Sequence, residues 1–271
     1  MSIIETDWLE NNLENVKIID CSWHMPQMKR NGFEEYKIQH LPGAIFFDLD
    51  DNSDQSSNLP HMLVKKYKWE KIVSKMGIKN EDKIVVYDNS DVVSSCRCWF
   101  NFIYFGHNPK QIHILNGGLK KWIKEKRQTT NKIPKIKLSK YKGFEKKELV
   151  KNKKSIDQNI ITQTFKVIDA RSKERFEGKV PEPRKGLKNG HIKNSFCIPF
   201  GNCLNEDGTF KKKEDLKKVF QSSQKNLNER NIVFSCGSGV TACVLALAYS
   251  LINDKYQPCI YDGSWAEYGL V

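Results

Sequence analysis

The sequence predicts an α/β protein of two tandem domains, each a mostly parallel central sheet flanked by helices. Three observations predict it: the length, a repeat between the two halves, and short apolar runs that alternate with helical stretches. The length of 271 residues suggests roughly two domains, because domains usually span about 100–200 residues.

Four segments of the first half recur, in the same order, in the second half. They are Val16–Asp20 with Val167–Arg171, His40–Phe47 with His191–Ile198, Ile84–Asp88 with Ile232–Cys236, and Gly117–Trp122 with Asp262–Trp265. The paired segments are 145 to 151 residues apart, a drift too small for chance matches. We therefore predict a duplicated domain, with copies at 1–128 and 143–271 and a lysine-rich linker at 129–142.

The predicted strands are nearly continuous apolar runs, as expected where helices cover both faces of a sheet. They are Ile18–Cys21, Ala44–Asp48, Ile84–Tyr87 and Gln111–Leu115, then Val167–Asp169, Ser195–Pro199, Ile232–Ser235 and Pro258–Tyr261. Helices are predicted at Trp69–Met76, Ser95–Phe105, Glu214–Ser222 and Val240–Leu251. This alternation of strands and helices is typical of a parallel sheet.

The charge of the chain is concentrated in one segment. The net charge is +13, and the stretch Lys132–Lys154 holds ten lysines and two glutamates. We interpret this stretch as a solvated linker followed by a surface helix at Phe144–Ile161, because aromatic side chains are not interleaved as nucleic-acid stacking requires. We expect no membrane partner, since no apolar run approaches the roughly 18 residues of a span.

The eight cysteines predict neither a disulfide framework nor a zinc site. A chain of this size does not depend on disulfides, and Cys96 and Cys98 are separated by one residue with no second Cys/His pair at finger-like spacing. We expect reduced thiols, no metal and no organic cofactor. The acidic N-terminus lacks the features of a secretory signal, which favours the cytosol, with the mitochondrion as the alternative.

One cysteine lies where an open α/β sheet binds its ligands. The predicted strand Ile232–Ser235 runs directly into Cys236, and the predicted helix begins at Val240. Gly237 and Gly239 allow positive φ and a tight turn. Such a loop can direct successive N–H groups inward as an anion nest, and the helix dipole behind it favours the thiolate. We expect Cys236 to be a nucleophile rather than a structural cysteine.

Two classes of cysteine chemistry compete at this loop. A cysteine-dependent phosphatase has an arginine six residues after the cysteine, but Ala242 stands there and no Lys or Arg occurs between residues 231 and 254. Transfer of a sulfur atom needs no phosphate clamp, because loop amides stabilise the outer sulfur of a persulfide. The sequence therefore favours sulfur transfer.

Further segments carry a resemblance to a known family. They are His40–Asp50, Ser53-Asp54, His61–Leu63, Asn116–Gly118 with Trp122, Val167–Arg171, Pro181–Arg184, Gly190–Ile192, Cys236–Cys243 and Tyr261–Trp265. In this order and spacing they resemble the two-domain rhodanese superfamily of sulfurtransferases, which implies two rhodanese-like domains. The loop after Cys236 is similar to that of members that use 3-mercaptopyruvate, whereas thiosulfate-specific members carry cations where this chain has Gly237 and Ser238.

The resemblance also implies the roles of individual residues. Cys236 is expected to carry the persulfide, with Ser238, Asp50 and His61 as a proton relay whose last two members come from the first domain. The expected substrate-binding residues are Arg175, Arg184, Gly237, Gly239, Val240 and Thr241. Without the resemblance, Asp50 and His61 would be interpreted as satisfying turn amides, and the two arginines as surface residues. Asp88 stands at the position equivalent to Cys236, so the first domain is expected to be catalytically silent.

The expected function is transfer of sulfur from 3-mercaptopyruvate, through the cysteine persulfide, to a thiol acceptor or cyanide, with release of pyruvate. The resemblance implies thioredoxin or a low-molecular-weight thiol as acceptor. Two alternatives remain at this point: a thiosulfate:cyanide sulfurtransferase, and a non-enzymatic basic binding protein on the same fold. A nucleic-acid partner is disfavoured.

Overall fold

The computed structural model describes residues 2–221 and 231–271, which separate into two compact units. The described residues of the first unit lie within Met1–Asp54, Leu63–Lys146 and Glu206–Thr209. Those of the second unit lie within Gln55–Met62, Lys147–Asn205 and Phe210–Val271. The segment Gln55–Met62 therefore belongs to the second unit, although first-unit residues flank it in the sequence.

The first unit contains a five-stranded parallel sheet. Its strands are β1 (Ile3–Ile4), β2 (Lys17–Asp20), β3 (Ile45–Phe46), β4 (Ile84–Tyr87) and β5 (Ile112–Leu115), and its helices are α1 (Thr6–Glu10), α2 (Gly32–Ile38), α3 (Lys66–Lys75), α4 (Ser95–Tyr104) and α5 (Gly118–Lys124). The strand order is β1-β5-β4-β2-β3, and every pairing is parallel.

The second unit repeats this topology. Its strands are β6 (Val150–Lys151), β7 (Lys166–Asp169), β8 (Phe196–Cys197), β9 (Ile232–Ser235) and β10 (Ile260–Tyr261), and its helices are α6 (Lys153–Thr162), α7 (Lys173–Phe176), α8 (Lys213–Gln221), α9 (Ala242–Ile252) and α10 (Ser264–Tyr268). The order β6-β10-β9-β7-β8 matches that of the first sheet strand for strand. The predicted α/β fold with parallel sheets is thus confirmed.

The register of the two sheets locates the equivalent positions of the repeat. Asp20 of β2 lies opposite Tyr87 of β4, and Asp169 of β7 lies opposite Ser235 of β9. Asp88 and Cys236, which follow these strands, are therefore equivalent. All four residues of β4 and of β9 are buried, as the apolar runs predict for strands covered on both faces.

One helix predicted from the sequence is wrong in detail. The expected helix Phe144–Ile161 is instead a short 3₁₀ turn at Lys147–Leu149, the edge strand β6, and a helix that begins only at Lys153. Asn152 starts this helix, because its side chain accepts a hydrogen bond from the Ser155 N–H at 2.9 Å. The edge strands β1 and β6 were not predicted. Ser222, the predicted end of α8, lies outside the described residues.

Four 3₁₀ turns complete the described secondary structure, at Leu13–Asn15, Pro26–Met28, Lys147–Leu149 and Phe200–Cys203. Among the described helices, none has both the length and the apolar character needed to cross a bilayer.

Candidate active site

Cys236 lies at the carboxyl end of β9, in a loop that leads into α9. The loop occupies residues 236–241, since β9 ends at Ser235 and α9 begins at Ala242, two residues later than predicted. The residue is 2% exposed. It therefore occupies the strand-to-helix turn where ligands of open α/β sheets bind.

The loop is oriented by hydrogen bonds from α10. The Trp265 N–H donates to the Cys236 carbonyl at 2.9 Å, and the Ala266 N–H donates to the Gly237 carbonyl at 2.8 Å. Ser264 Oγ accepts from the Cys236 N–H at 3.2 Å and donates to the Tyr261 carbonyl at 2.8 Å. The two loop carbonyls therefore face α10, which anchors the turn that carries the cysteine.

The amide groups farther along the loop are suited to an anion. Among residues 2–221 and 231–271, no backbone carbonyl accepts a hydrogen bond from the N–H of Ser238, Val240 or Thr241. Gly239 has φ of 74°, whereas Gly237 does not adopt positive φ. The turn therefore uses left-handed backbone at Gly239 and not at Gly237.

Gly237 provides space for two guanidinium groups. A Cβ atom at this position would lie 3.2 Å from Arg175 Nη2 and 3.8 Å from Arg184 Nη1. The two arginines predicted from the resemblance are thus both beside the loop. A side chain at position 237 would compete with them for space.

Arg175 is fixed by a buried carboxylate that the sequence analysis did not single out. Its Nε and Nη2 donate to Glu182 at 3.2 and 2.6 Å, and Glu182 also accepts from Arg171 Nη1 at 2.8 Å. Arg171 binds Asp169 in turn, at 2.6 Å for the shortest contact. Together with Arg184, these five charged side chains have one positive charge in excess, which suits a monoanion.

Ser238 links the loop to a histidine. His61 Nδ1 lies 2.9 Å from Ser238 Oγ, and Arg184 Nη2 donates to the same oxygen at 3.4 Å. His61 is 4% exposed and has φ of 61°, a left-handed conformation that costs energy in a residue other than glycine. His61 lies in Gln55–Met62, a segment of the predicted first domain that the structure groups with the second unit.

Asp50 belongs to the first unit. Its side chain accepts a hydrogen bond from Trp23 Nε1 at 2.8 Å, and its N–H donates to Asp48 Oδ1 at 2.9 Å. The predicted role of Asp50 in a relay with His61 stays a prediction.

The equivalent loop of the first unit holds a carboxylate of its own. Asp88 accepts hydrogen bonds from the N–H groups of Ser90, at 2.8 Å, and Ser95, at 2.9 Å. The Leu119 N–H donates to the Asp88 carbonyl at 2.9 Å, just as Trp265 does at Cys236. The side chain of Asp88 thus fills the place of a bound anion, and burial raises its pKa.

Three other cysteines of the second unit have the environment of packing residues. Burial raises the pKa of Cys197, Cys203 and Cys259 to about 12. These thiols are therefore protonated at neutral pH and are poor nucleophiles. In the part of the chain that the structure describes, no three His, Cys, Asp or Glu side chains are grouped to hold a metal ion.

Two residues of this site were missed by the sequence analysis, Glu182 and Ser264. Glu182 lies inside the quoted segment Pro181–Arg184, and Ser264 inside Tyr261–Trp265. The segments were recognised, but the roles depend on contacts between distant parts of the chain. The sequence signal available for the contact of Glu182 with the two arginines was Arg175, which stands four residues after Arg171 and is followed by Glu182.

Known proteins share the sequence pattern and the fold of this chain. The sequence model of the rhodanese-like domain matches residues 5–125 and 149–270. The chain is 39% identical to thiosulfate/3-mercaptopyruvate sulfurtransferase 1, mitochondrial, of Arabidopsis thaliana, over 98% of this chain and 75% of the relative. It is 34% identical to thiosulfate sulfurtransferase of Rattus norvegicus, over 98% and 91%.

The fold also has solved counterparts. The crystal structure of the 3-mercaptopyruvate sulfurtransferase SseA of Escherichia coli superimposes with a TM-score of 0.87 at 29% identity, covering 98% of this chain and 99% of that chain.

Proposed function

Because this chain belongs to the rhodanese family of sulfurtransferases, we propose that it takes sulfur from 3-mercaptopyruvate onto Cys236 and passes it to a thiol acceptor or cyanide. The observation that carries the proposal is the convergence on one loop of a buried cysteine, a serine bonded to a histidine, and two arginines. The relatives named above act on 3-mercaptopyruvate, thiosulfate or both, so the choice of donor rests on the site itself.

The donor is held by its carboxylate. 3-Mercaptopyruvate is a monoanion with a planar carboxylate and an adjacent keto oxygen, which suit guanidinium donors. Arg175 and Arg184 border Gly237 and supply such donors. Thiosulfate is a dianion, and Gly237 and Ser238 add no cation to balance its second charge. This charge balance favours 3-mercaptopyruvate.

Sulfur transfer begins with attack of the Cys236 thiolate on the donor sulfur. A new S–S bond forms, the C–S bond breaks, and its electron pair leaves on carbon as the enolate of pyruvate. The thiol proton of the donor moves through Ser238 Oγ to the enolate carbon, which becomes the methyl group of pyruvate. Atoms and charge balance: thiolate and 3-mercaptopyruvate give the Cys236 persulfide anion and pyruvate.

The neighbours of Ser238 suit this proton transfer. His61 Nδ1 at 2.9 Å can hold the serine proton in position, and the Arg184 cation at 3.4 Å favours a partly negative oxygen. We include Asp50 as the residue that orients His61, on the strength of the family resemblance. An Asp50→Asn variant with unchanged turnover would remove Asp50 from the relay.

The persulfide then passes its outer sulfur on. The amides of Gly237, Ser238, Gly239, Val240 and Thr241 are proposed to stabilise the outer sulfur anion, with the N-terminus of α9 behind them. An acceptor thiolate attacks this sulfur, a new persulfide forms on the acceptor, and Cys236 returns as thiolate. Thioredoxin is the acceptor we propose, since its second thiol can release the sulfur as hydrosulfide.

The proposal is tested by intact-mass measurement and by donor-resolved kinetics. Incubation with 3-mercaptopyruvate should add about 32 Da, one sulfur atom, to the wild type and to Cys197→Ser, and nothing to Cys236→Ser. A modified Cys236→Ser variant, or an unmodified wild type with a free thiol, would contradict the proposal.

The choice of donor has its own test. Arg184→Ala should lose turnover with 3-mercaptopyruvate far more than with thiosulfate, because the lost contact is to the carboxylate. Lys185→Ala removes the same charge from the adjacent exposed residue and should change neither rate. Equal losses for both donors in Arg184→Ala would favour the alternative, a thiosulfate:cyanide sulfurtransferase.

For the compartment we propose the cytosol, with the mitochondrion as the alternative because the Arabidopsis relative is named mitochondrial. Fractionation of cells that express the tagged full-length chain distinguishes the two.

A further inference from the structure

A basic surface of the first unit lies outside the site described above. It consists of α3 with the turn that follows it (65–79) and the extended segment 131–146, here called the basic ridge. The ridge contains twelve lysines and two glutamates, and no arginine or aspartate. Most of the excess positive charge of the chain is therefore on this one surface.

The two segments of the ridge are neighbours. The Ser139 N–H donates to the Ser74 carbonyl at 3.0 Å, and the Tyr141 N–H donates to Ser74 Oγ at 3.0 Å. The Lys137 carbonyl would lie 2.6 Å from a Cβ at Gly77, which only a glycine permits. The extended segment thus runs along α3 with its backbone fixed, and it presents its lysines from an ordered scaffold.

The negative groups of the ridge do not neutralise these lysines. Glu70 accepts from the Gly143 N–H at 3.0 Å, and Glu145 accepts from the Lys66 N–H at 3.1 Å. Lys68 and Lys79 have carboxylate neighbours at 3.8 and 3.9 Å. Within the described residues, ten ridge lysines make no ion pair: Lys65, Lys66, Lys71, Lys75, Lys132, Lys135, Lys137, Lys140, Lys142 and Lys146.

Apolar side chains are exposed between the lysines. Ile133 is 57% exposed, Ile136 42%, Leu138 71% and Phe144 72%. On α3, Tyr67 is 60% exposed. Apolar side chains grouped on a charged surface are typical of an interaction site, whereas a ridge that served solubility alone would not need them.

We propose that the basic ridge binds the surface of an anionic phospholipid membrane. Lysines near an anionic leaflet attract it electrostatically, and interspersed apolar side chains enter the boundary between headgroups and acyl chains. Nucleic acid fits less well, because three of the five exposed apolar side chains, Ile133, Ile136 and Leu138, are aliphatic, and stacking platforms are aromatic. This revises the expectation of no membrane partner, which considered only spanning segments.

The test is sedimentation of the full chain with vesicles. Wild-type protein should sediment with phosphatidylcholine vesicles that contain about 30% phosphatidylserine, and not with phosphatidylcholine alone. Added salt should weaken the binding. Failure to sediment with anionic vesicles at low salt would overturn the proposal.

Matched variants locate the contact. The triple variant Lys135→Glu, Lys137→Glu, Lys140→Glu should weaken vesicle binding at least about tenfold, with unchanged sulfurtransferase turnover as the check on folding. The control triple Lys193→Glu, Lys212→Glu, Lys213→Glu makes the same charge change on exposed residues of the second unit and should bind as the wild type does. Equal losses in both triples would overturn the assignment to the ridge.

The apolar side chains separate a membrane from other polyanions. Ile133→Asn with Leu138→Asn keeps every charge and should also weaken vesicle binding. If this double variant binds vesicles as the wild type does, and an RNA duplex competes with the vesicles for the wild type, the ridge is a polyanion site and the membrane assignment is wrong.

Discussion

Ser264 adopts a backbone conformation that is unfavourable for a serine. Its φ is 49°, and its Oγ accepts the hydrogen bond from the Cys236 N–H. In the first unit Gly118 takes this place, with φ of 55°. The repeat is therefore shifted by one residue from the sequence alignment, which paired Gly118 with Gly263. The second copy tolerates a strained serine where the first uses glycine, which indicates that the hydroxyl is needed.

Two substitutions separate strain from hydrogen bonding at position 264. Ser264→Ala loses the acceptor and keeps the strain, so the free energy of unfolding should fall by about 1–3 kcal/mol. Ser264→Gly loses the same acceptor but relieves the strain, and should be more stable than Ser264→Ala by about 1 kcal/mol. Both should slow persulfide formation in single-turnover kinetics. Wild-type rates in both variants would show that the hydroxyl does not position Cys236.

Glu182 is the second residue with a large expected effect. Its side chain is 2% exposed and lies between Arg171 and Arg175. Glu182→Gln leaves two guanidinium groups without their shared negative charge, which should cost about 3 kcal/mol of unfolding free energy. It should also raise KM for 3-mercaptopyruvate, because Arg175 is no longer fixed.

The control for Glu182 is Glu177→Gln. Glu177 forms its ion pair with Lys179 at the surface, where solvent screens the attraction and such pairs contribute little to stability. Denaturant unfolding and steady-state kinetics measure both variants. An unchanged KM in Glu182→Gln would mean that Arg175 does not need this carboxylate.

At the scale of elements, the loop between β9 and α9 depends on two glycines for different reasons. Gly239 has left-handed backbone, so Gly239→Ala should cost about 1–2 kcal/mol and displace the loop amides. Gly237→Ala meets only the ends of two arginine side chains. It should leave the unfolding free energy nearly unchanged and raise KM for the donor. Thermal melts followed by circular dichroism and steady-state kinetics measure both variants. A Gly239→Ala variant with a raised KM but no loss of stability would contradict the separate roles of the two glycines.

Some of these elements could be predicted from the sequence, and others could not. The strands β4 and β9 were predicted to the residue, because a short run of at least three apolar residues bounded by polar turns identifies a covered strand. The strands β1 and β6 are two residues long and carry no periodicity, so nothing in the sequence marked them. His61 was recognised through the family resemblance alone, and its membership of the second unit depends on contacts of Gln55–Met62 that no local pattern contains.

At the scale of the whole molecule, the two copies differ in how they neutralise the same buried aspartate. Asp169 forms an ion pair with Arg171. Asp20, its equivalent, has Ser22 in place of the arginine, and its Oδ1 accepts from the Ser22 hydroxyl at 2.6 Å. Burial raises the pKa of Asp20 from 3.8 to about 6, against the lowering effect of the Ser22 hydrogen bonds.

This difference predicts a pH dependence of stability. The folded state holds the Asp20 proton more tightly than the unfolded state does, so the contribution of Asp20 is fully present below about pH 4. It is lost as the pH rises to about 6, and the loss amounts to about 3 kcal/mol. Asp20→Asn should reduce the slope of unfolding free energy against pH in this window.

The exposed residue Asp254 provides the control, since Asp254→Asn should leave the slope as in the wild type. Denaturant unfolding at pH 4, 5, 6 and 7 measures all three proteins. An identical slope in Asp20→Asn and in the wild type would show that Asp20 does not retain its proton on folding.

The Asp88 carboxylate occupies the loop N–H groups of the first unit at all times, because it is part of the chain itself. We therefore expect small anions that compete with the proposed donor to bind at the loop of Cys236 and not at the equivalent loop of the first unit. Calorimetric titration with such an inhibitor should give a stoichiometry of one. Asp88→Cys would not by itself create a second catalytic centre, because the N–H groups of Ser90 and Ser95 are positioned to bind the Asp88 carboxylate.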